Sequence, residues 1–117
     1  MSILVVSVSH KTAPMELLSQ LTLDMDATTT MVQTLAAADP VDEALVLSAC
    51  DRTEIYASVS RFHAGLAALT QSVEGATGIG LETLQENCAV FYDEAAVSHC
   101  FSVTAGLESM VAGEHQI

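Results

Sequence analysis

The stretch VLSACDRTEIY, Val46 to Tyr56, sets a thiol, a carboxylate and a guanidinium side by side as Cys50, Asp51 and Arg52. An apolar run enters it and a second strand-like run leaves it. The three charged or reactive groups therefore fall at a turn, where connecting segments expose functional side chains. Arg52 favours a thiolate at Cys50 and Asp51 opposes one. A buried, inert thiol is the commoner fate of a cysteine in a reducing compartment. Spacing alone leaves both readings open. Cys88, in CAVFY, and Cys100, in AAVSHCFSV, sit within apolar patterns and are expected in the core.

The four histidines are scattered. His99 falls in a helical pattern near the end of the chain, where a hydrogen-bonded structural role is the commoner one. His10 follows a strand, at a loop. His63 lies on the polar side of an amphipathic helix, and His115 is near the last residue. No H-x-x-x-H or C-x-x-C spacing occurs, so no metal site is expected. GATGIG, residues 75–80, follows a helix rather than a strand, and reads as a linker instead of a dinucleotide loop. The closing GLESMVAGEHQI carries Glu108, Ser109, Glu114 and Gln116. It reads either as a frayed terminus or as a binding loop for a molecule with an amine and a hydroxyl. Composition does not separate the two.

The scaffold that must position these groups is one domain of 117 residues, half of them hydrophobic, with no Trp and few aromatics. Its core is therefore aliphatic. The net charge is −12, and Lys11, Arg52 and Arg61 are the three fixed cations. Such a surface repels phosphate, so the domain itself is not expected to grip DNA or RNA. No apolar run is long enough to span a bilayer, and SILVVSVSH lacks the marks of a signal peptide. Three widely spaced cysteines make no disulfide framework, which fits a reducing cytoplasm.

Ile3 to Ser9 reads as a buried strand. Thr12 or Ala13 can cap a short helix with Pro14 at its first position, carrying Leu17, Leu18 and Leu21. A second helix starts at Asp24 or Asp26, shows Met31, Val32, Leu35 and Ala38 on one face, and ends at ADP. EALVLSAC and TEIYASVS are strands, and Thr53, Ile55, Ala57 and Val59 share one face of the latter. A helix with Phe62, Leu66 and Leu69 runs from Arg61 to about Gly75, where GATGIG breaks it. LETLQEN is a short helical turn and CAVFY a strand. Asp93 caps a last helix from Glu94 to about Ala105, stopped by Gly106. Without one early helix and the last one, the order is βαββαβ. That is an α+β, ferredoxin-like split βαβ plan: an antiparallel sheet with helices on one face and strands one and three at its centre.

VSVSHKTAP, VLSACDRTEIY and YDEAAVSHCFSVTAGLESMVAGEHQI resemble, in order and spacing, the N-terminal part of glutamyl-tRNA reductases. The resemblance covers residues 2 to 117 and implies a single glutamate-recognition and catalytic domain, residues 1–117. A linker helix, an NADPH-binding domain and a dimerisation domain would lie outside this chain. It further implies an oxidoreductase of tetrapyrrole (porphyrin, haem) biosynthesis. Such an enzyme takes glutamyl-tRNA, forms a cysteine thioester with the glutamyl group, reduces it with NADPH to glutamate-1-semialdehyde, and works as a homodimer. Cys50 matches the nucleophile, and His99 the activity-enhancing histidine near it. Arg52 matches the residue that pairs with the substrate's carboxylate, a task for a planar, permanently charged fork. Ser109, Glu114 and Gln116 match substrate contacts, with His115 between the last two, and Glu114 suits an α-ammonium group. The chain departs from the family at Ala49 and Asp51, where Thr and Asn are usual. These flank the thiol and belong to the same candidate substrate site. Ala49 removes a hydroxyl, and Asp51 adds an anion. The alternative they leave open is a non-catalytic module that binds glutamate or a partner.

Overall fold

Alternation along the strands decides the layering. The computed structural model describes residues 2–103. Its elements are β1 (Ser2–Ser9), α1 (Met15–Leu21), α2 (Met25–Ala36), β2 (Val41–Ala49), β3 (Arg52–Val59), α3 (Phe62–Thr77), α4 (Leu81–Glu86) and β4 (Ala89–Tyr92). A last helix, α5, covers residues 94–103. The sheet order is β2-β3-β1-β4 and every pairing is antiparallel. This is the expected ferredoxin-like arrangement, with β1 and β3 central.

Register puts Leu4 opposite Ala57, Val6 opposite Ile55 and Val8 opposite Thr53. These side chains point to one face. There they join Leu18 and Leu21 of α1, Met31 and Leu35 of α2, Leu69 and Val73 of α3, and Leu84 of α4 in a single aliphatic core. The four helices therefore share that face. Asp24 caps α2, its carboxylate accepting the Ala27 N–H at 2.7 Å. No described helix is long and apolar enough to cross a membrane.

The structure corrects the sequence reading at several points. Pro14 stands at the N-cap of α1, one place before the first helical residue. α3 continues through Gly75 to Thr77. Gly78, with φ 77°, is the residue that stops it, because the left-handed region costs glycine nothing. Asp93 stands at the N-cap of α5, its carbonyl accepting the Val97 N–H at 3.0 Å, and its carboxylate reaches across to β1. It accepts the Ile3 N–H at 3.1 Å, while its own N–H donates to the Ile3 carbonyl at 2.8 Å. The exit of β4 is thereby tied to the start of β1. Where α5 ends lies outside the described residues. The helices do not all share one face, because α5 lies against the opposite one, as the site below requires. Cys88 packs at the margin of the core, and burial pushes its thiol pKa up. Cys100 is exposed instead of buried. The inward stripe of α5 is Ala96, His99 and Val103, and one further residue turns the side chain about 100° away from it.

α3 crosses the sheet closely because Gly65 faces the buried Val59. A Cβ at Gly65 would meet Val59 Cγ1 at 2.7 Å and Val59 Cβ at 2.8 Å. Those atoms belong to the stiff, branched base of a side chain with no exposure. Gly65→Ala is therefore expected to destabilise the protein by about 1–2 kcal/mol despite alanine's better helix propensity. A lower urea midpoint with unchanged slope will show it.

Candidate functional site

β2 and β3 form a hairpin in which Ala49 pairs with Arg52, so Cys50 and Asp51 are the whole loop. Neither adopts a positive φ. The Cys50 thiol is exposed. The loop is held from the side by β1, since the His10 N–H donates to the Asp51 carbonyl at 3.1 Å. His10 itself is exposed beside it.

Below the loop, polar groups pin the hairpin on both faces. On the helical face, the Thr53 hydroxyl donates to the Leu21 carbonyl at 3.1 Å and lies 3.1 Å from the Ser48 hydroxyl. Ser48 Oγ in turn accepts the Leu23 N–H at 2.9 Å. The C-terminal end of α1, whose last carbonyls and following amides have no helical partner, is satisfied by the hairpin.

The opposite face carries Arg52, Glu54 and Tyr56 of β3 beside Ser7 of β1, with Ser7 directly across from Glu54. Glu54 is almost completely buried, its side chain only 1% exposed. A carboxylate removed from water this way needs donors on its oxygens. Ser7 Oγ donates to Oε2 at 2.6 Å, and Tyr56 Oη donates to Oε1 at 2.7 Å. His99 Nε2 sits 2.6 Å from Oε2, reaching down from α5. Arg52 Nη1 lies 3.9 Å from Oε1. Burial raises the Glu54 pKa, but the hydrogen bonds from Ser7, His99 and Tyr56 and the charge of His99 outweigh it, and the net shift is downward. Tyr56 moves the other way. Burial, then its bond to Glu54 and that group's charge, push its phenol pKa well up, so it stays a neutral donor.

His99 is fixed in plane as well as at its nitrogen. Its ring stacks on Phe91 of β4 at 4.2 Å and 11°, and it lies 6.4 Å from the Tyr56 ring at 24°. Arg52 is the shielded cation. Its side chain is 23% exposed, whereas Arg61, paired with Asp39 at 2.9 Å, is 62% exposed. Lys11 is exposed on the loop after β1. Asp51 places its carboxylate 3.8 Å from Arg52 Nε. The guanidinium thus stands between two carboxylates of its own chain, one exposed and one sealed.

The structure brings Ala49, Cys50, Asp51 and Arg52 together at one hairpin tip, with Ala49 exposed. His99 is joined to the same hairpin, but through Glu54, two residues or about 7 Å further along β3, and not by a bond to Cys50. Ser109, Glu114, His115 and Gln116 lie outside the described residues, as does Glu108. Sequence reasoning passed over Glu54, Tyr56 and Ser7. The available signal was the shared face of Arg52, Glu54 and Tyr56 next to a strand, β1, apolar on both sides. Among the described residues no cluster of His, Cys, Asp and Glu could hold a metal ion. The described residues also lack a phosphate cradle for a dinucleotide. GATGIG closes α3 and leads into α4, and α1, the helix after β1, is seven residues long without a glycine turn before it.

A family model described as the N-terminal domain of glutamyl-tRNAGlu reductase matches residues 6–117. Glutamyl-tRNA reductase of Streptomyces avermitilis is 48% identical over the whole of this chain, which covers 21% of that protein. Glutamyl-tRNA reductase of Frankia alni is also 48% identical over the whole chain, which covers 25% of it. The solved structure of glutamyl-tRNA reductase from Methanopyrus kandleri matches with a TM-score of 0.60 and 25% identity, over 92% of this chain and 23% of that one. The chain spans about a fifth to a quarter of the length of the curated relatives it matches.

The depressed Glu54 pKa has a stability consequence with a definite sign. The ionised form is favoured by folding, so its contribution is complete above the ordinary carboxylate value of 4.5. It is lost as the pH falls below that value through the lower folded one. Urea midpoints measured from neutral pH downward should therefore drop through that window. In Glu54→Gln the neutral-pH midpoint should be lower and the drop shallower.

Proposed function

Because the chain belongs to the glutamyl-tRNA reductase N-terminal domain family, we propose that it is the glutamate-recognition and catalytic domain of an NADPH-dependent glutamyl-tRNA reductase acting in tetrapyrrole biosynthesis. The observation that carries this reading is the hairpin tip, where an exposed thiol and the one well-shielded cation stand two residues apart. Cys50 Sγ, as thiolate, attacks the ester carbonyl carbon of the glutamyl group. A tetrahedral oxyanion forms and collapses. The carbon–oxygen bond to the tRNA breaks, and a thioester to Cys50 remains. Arg52 grips the side-chain carboxylate of the glutamyl group with its fork of donors. His99 serves the proton transfers. Reduction of the thioester to the aldehyde would need a hydride, which NADPH would supply when bound. The described residues do not fit the cofactor, and the reading assigns its binding to parts of the protein beyond them. The same holds for homodimer assembly and for the basic surface that a tRNA body needs, because this domain carries a net charge of −12.

Asp51 favours a second reading. Its carboxylate, 3.8 Å from Arg52 Nε, occupies the position where a substrate carboxylate would compete. With Ala49 lacking a hydroxyl, the domain would then be a binding module for glutamate or a partner, without efficient acylation.

Acylation separates the two. Mixed with glutamyl-tRNA, or with a small activated glutamate ester, the protein should gain a glutamyl adduct on Cys50 by mass spectrometry, and Cys50→Ser should gain none. Asp51→Asn should acylate faster, because it removes a charge that disfavours the thiolate and competes for Arg52. If neither the native protein nor Asp51→Asn is labelled, the module reading replaces the catalytic one.

Arg52→Lys tests the anchor separately. A point charge does not reproduce two parallel hydrogen bonds, and the affinity for a glutamate analogue should fall roughly tenfold or more. Titration calorimetry showing unchanged affinity would move the carboxylate site elsewhere.

A further inference from the structure

We propose that Glu54 is a positioning residue that holds His99 by Nε2, so that the other ring nitrogen, Nδ1, is the atom through which His99 exchanges protons during thioester chemistry. This rests on the catalytic reading above and specifies how one of its residues works. Glu54 Oε2 lies 2.6 Å from His99 Nε2 and also accepts from Ser7, while Oε1 accepts from Tyr56. An ionised carboxylate has no hydrogen to donate, so the proton between it and Nε2 belongs to the imidazole. In an imidazole the bond made by one nitrogen sets the state of the other. The neutral ring is thus the Nε2–H tautomer, with its lone pair on Nδ1.

Stacking on Phe91 keeps the ring from swinging about this bond. Ser7 and Tyr56 keep the carboxylate from turning away. The groups facing Glu54 are Ser7 from β1, Arg52 and Tyr56 from β3, and His99 from α5. None of the others can take over as acceptor for Nε2–H with a negative charge.

In the reaction the proton that the Cys50 thiol gives up in becoming the thiolate passes through solvent water to Nδ1 before the S–C bond forms. It is returned to the oxygen that leaves with the tRNA as the C–O bond breaks. The imidazolium that exists in between has both nitrogens protonated, and the anionic Glu54 stabilises it in place. One S–C bond replaces one O–C bond, the thiol's proton leaves on the tRNA hydroxyl, and His99 returns to its neutral form.

Two-bond nitrogen–proton spectra of protein labelled with ¹⁵N-histidine test the arrangement directly. At alkaline pH, His99 should show a protonated Nε2 and an unprotonated Nδ1. His10 and His63, both exposed, supply the contrast of solvent-averaged rings. An Nδ1–H tautomer, or an averaged ring at His99, would overturn the proposal whatever the variants do. The second arm is a kinetic cycle on Cys50 acylation by an activated glutamate ester. Glu54→Gln should slow it roughly tenfold or more. In a His99→Asn background the same substitution should change it by less than about twofold, because the two residues act as one unit. Equal slowing in both backgrounds would mean that Glu54 acts through Arg52 or the fold, and the proposal falls. If Glu54→Gln does not fold, the tautomer of the native protein still decides. If native Cys50 is never acylated, the catalytic reading fails, whereas the tautomer result stands on its own.

Discussion

A carboxylate sealed inside a protein is expensive unless its lone pairs are met by donors, and the architecture around Glu54 follows from that requirement. Glu54 sits on a central strand, on the face turned away from the main aliphatic core. The neighbouring strand provides Ser7, its own strand provides Tyr56, and a helix from the far end of the described chain provides His99. Removing α5 would take His99 from Glu54 and open this face to water. The ferredoxin-like core closes one side of the sheet with aliphatic side chains. The other side is closed around a polar network, which fixes directions as well as distances.

The same network explains how one cation keeps a shielded place in so acidic a chain. Arg52 begins β3 and keeps its head where the sheet meets the hairpin tip. Glu54 approaches it from the interior and Asp51 from the solvent side. The interior carboxylate is committed to three shorter bonds, so its hold on the guanidinium is loose, at 3.9 Å. Asp51 is half-exposed and screened by water, and an exposed ion pair of that kind contributes little, roughly 0–1 kcal/mol. An incoming carboxylate with bidentate geometry can displace it. On the proposed catalytic reading, Asp51 is therefore a competitor for Arg52, with little consequence for the fold.

The fold was legible where side-chain periodicity meets a single partner layer. Leu18 and Leu21, Met31 and Leu35, and the Thr53–Val59 alternation all face the core that their spacing announced. A helix start at Asp24 or Asp26, of which Asp24 is the cap, and the strand order were readable for the same reason: capping chemistry and chain connectivity are local or nearly so. The sealed face was harder. Arg52, Glu54 and Tyr56 look like a solvated edge until α5 is laid over them, and that contact joins residues 45 apart in sequence. The apolar run of β1 did carry the clue, because a strand buried on both faces needs a cover on each. Cys100 went astray through phase: it lies beside His99 in sequence but on the adjacent, exposed side of the helix. At the hairpin the candidate chemistry was visible from residue types, while the bond from His99 to Glu54 in place of the thiol was not.

The paired bonds between Asp93 and Ile3 make the start of α5 a fixed origin. From there the helix runs back along β1, and His99 comes six residues later, about 9 Å of rise. The segment between them works as a ruler with both a length and a phase. One inserted residue would turn the imidazole about 100° away from Glu54, and one inserted turn would restore the angle but carry the ring about 5 Å past it. Sequence between Asp93 and His99 is thus free to change in composition outside the buried Ala96, but not in number. A gap placed there in any comparison of such chains marks a domain whose histidine no longer meets its carboxylate.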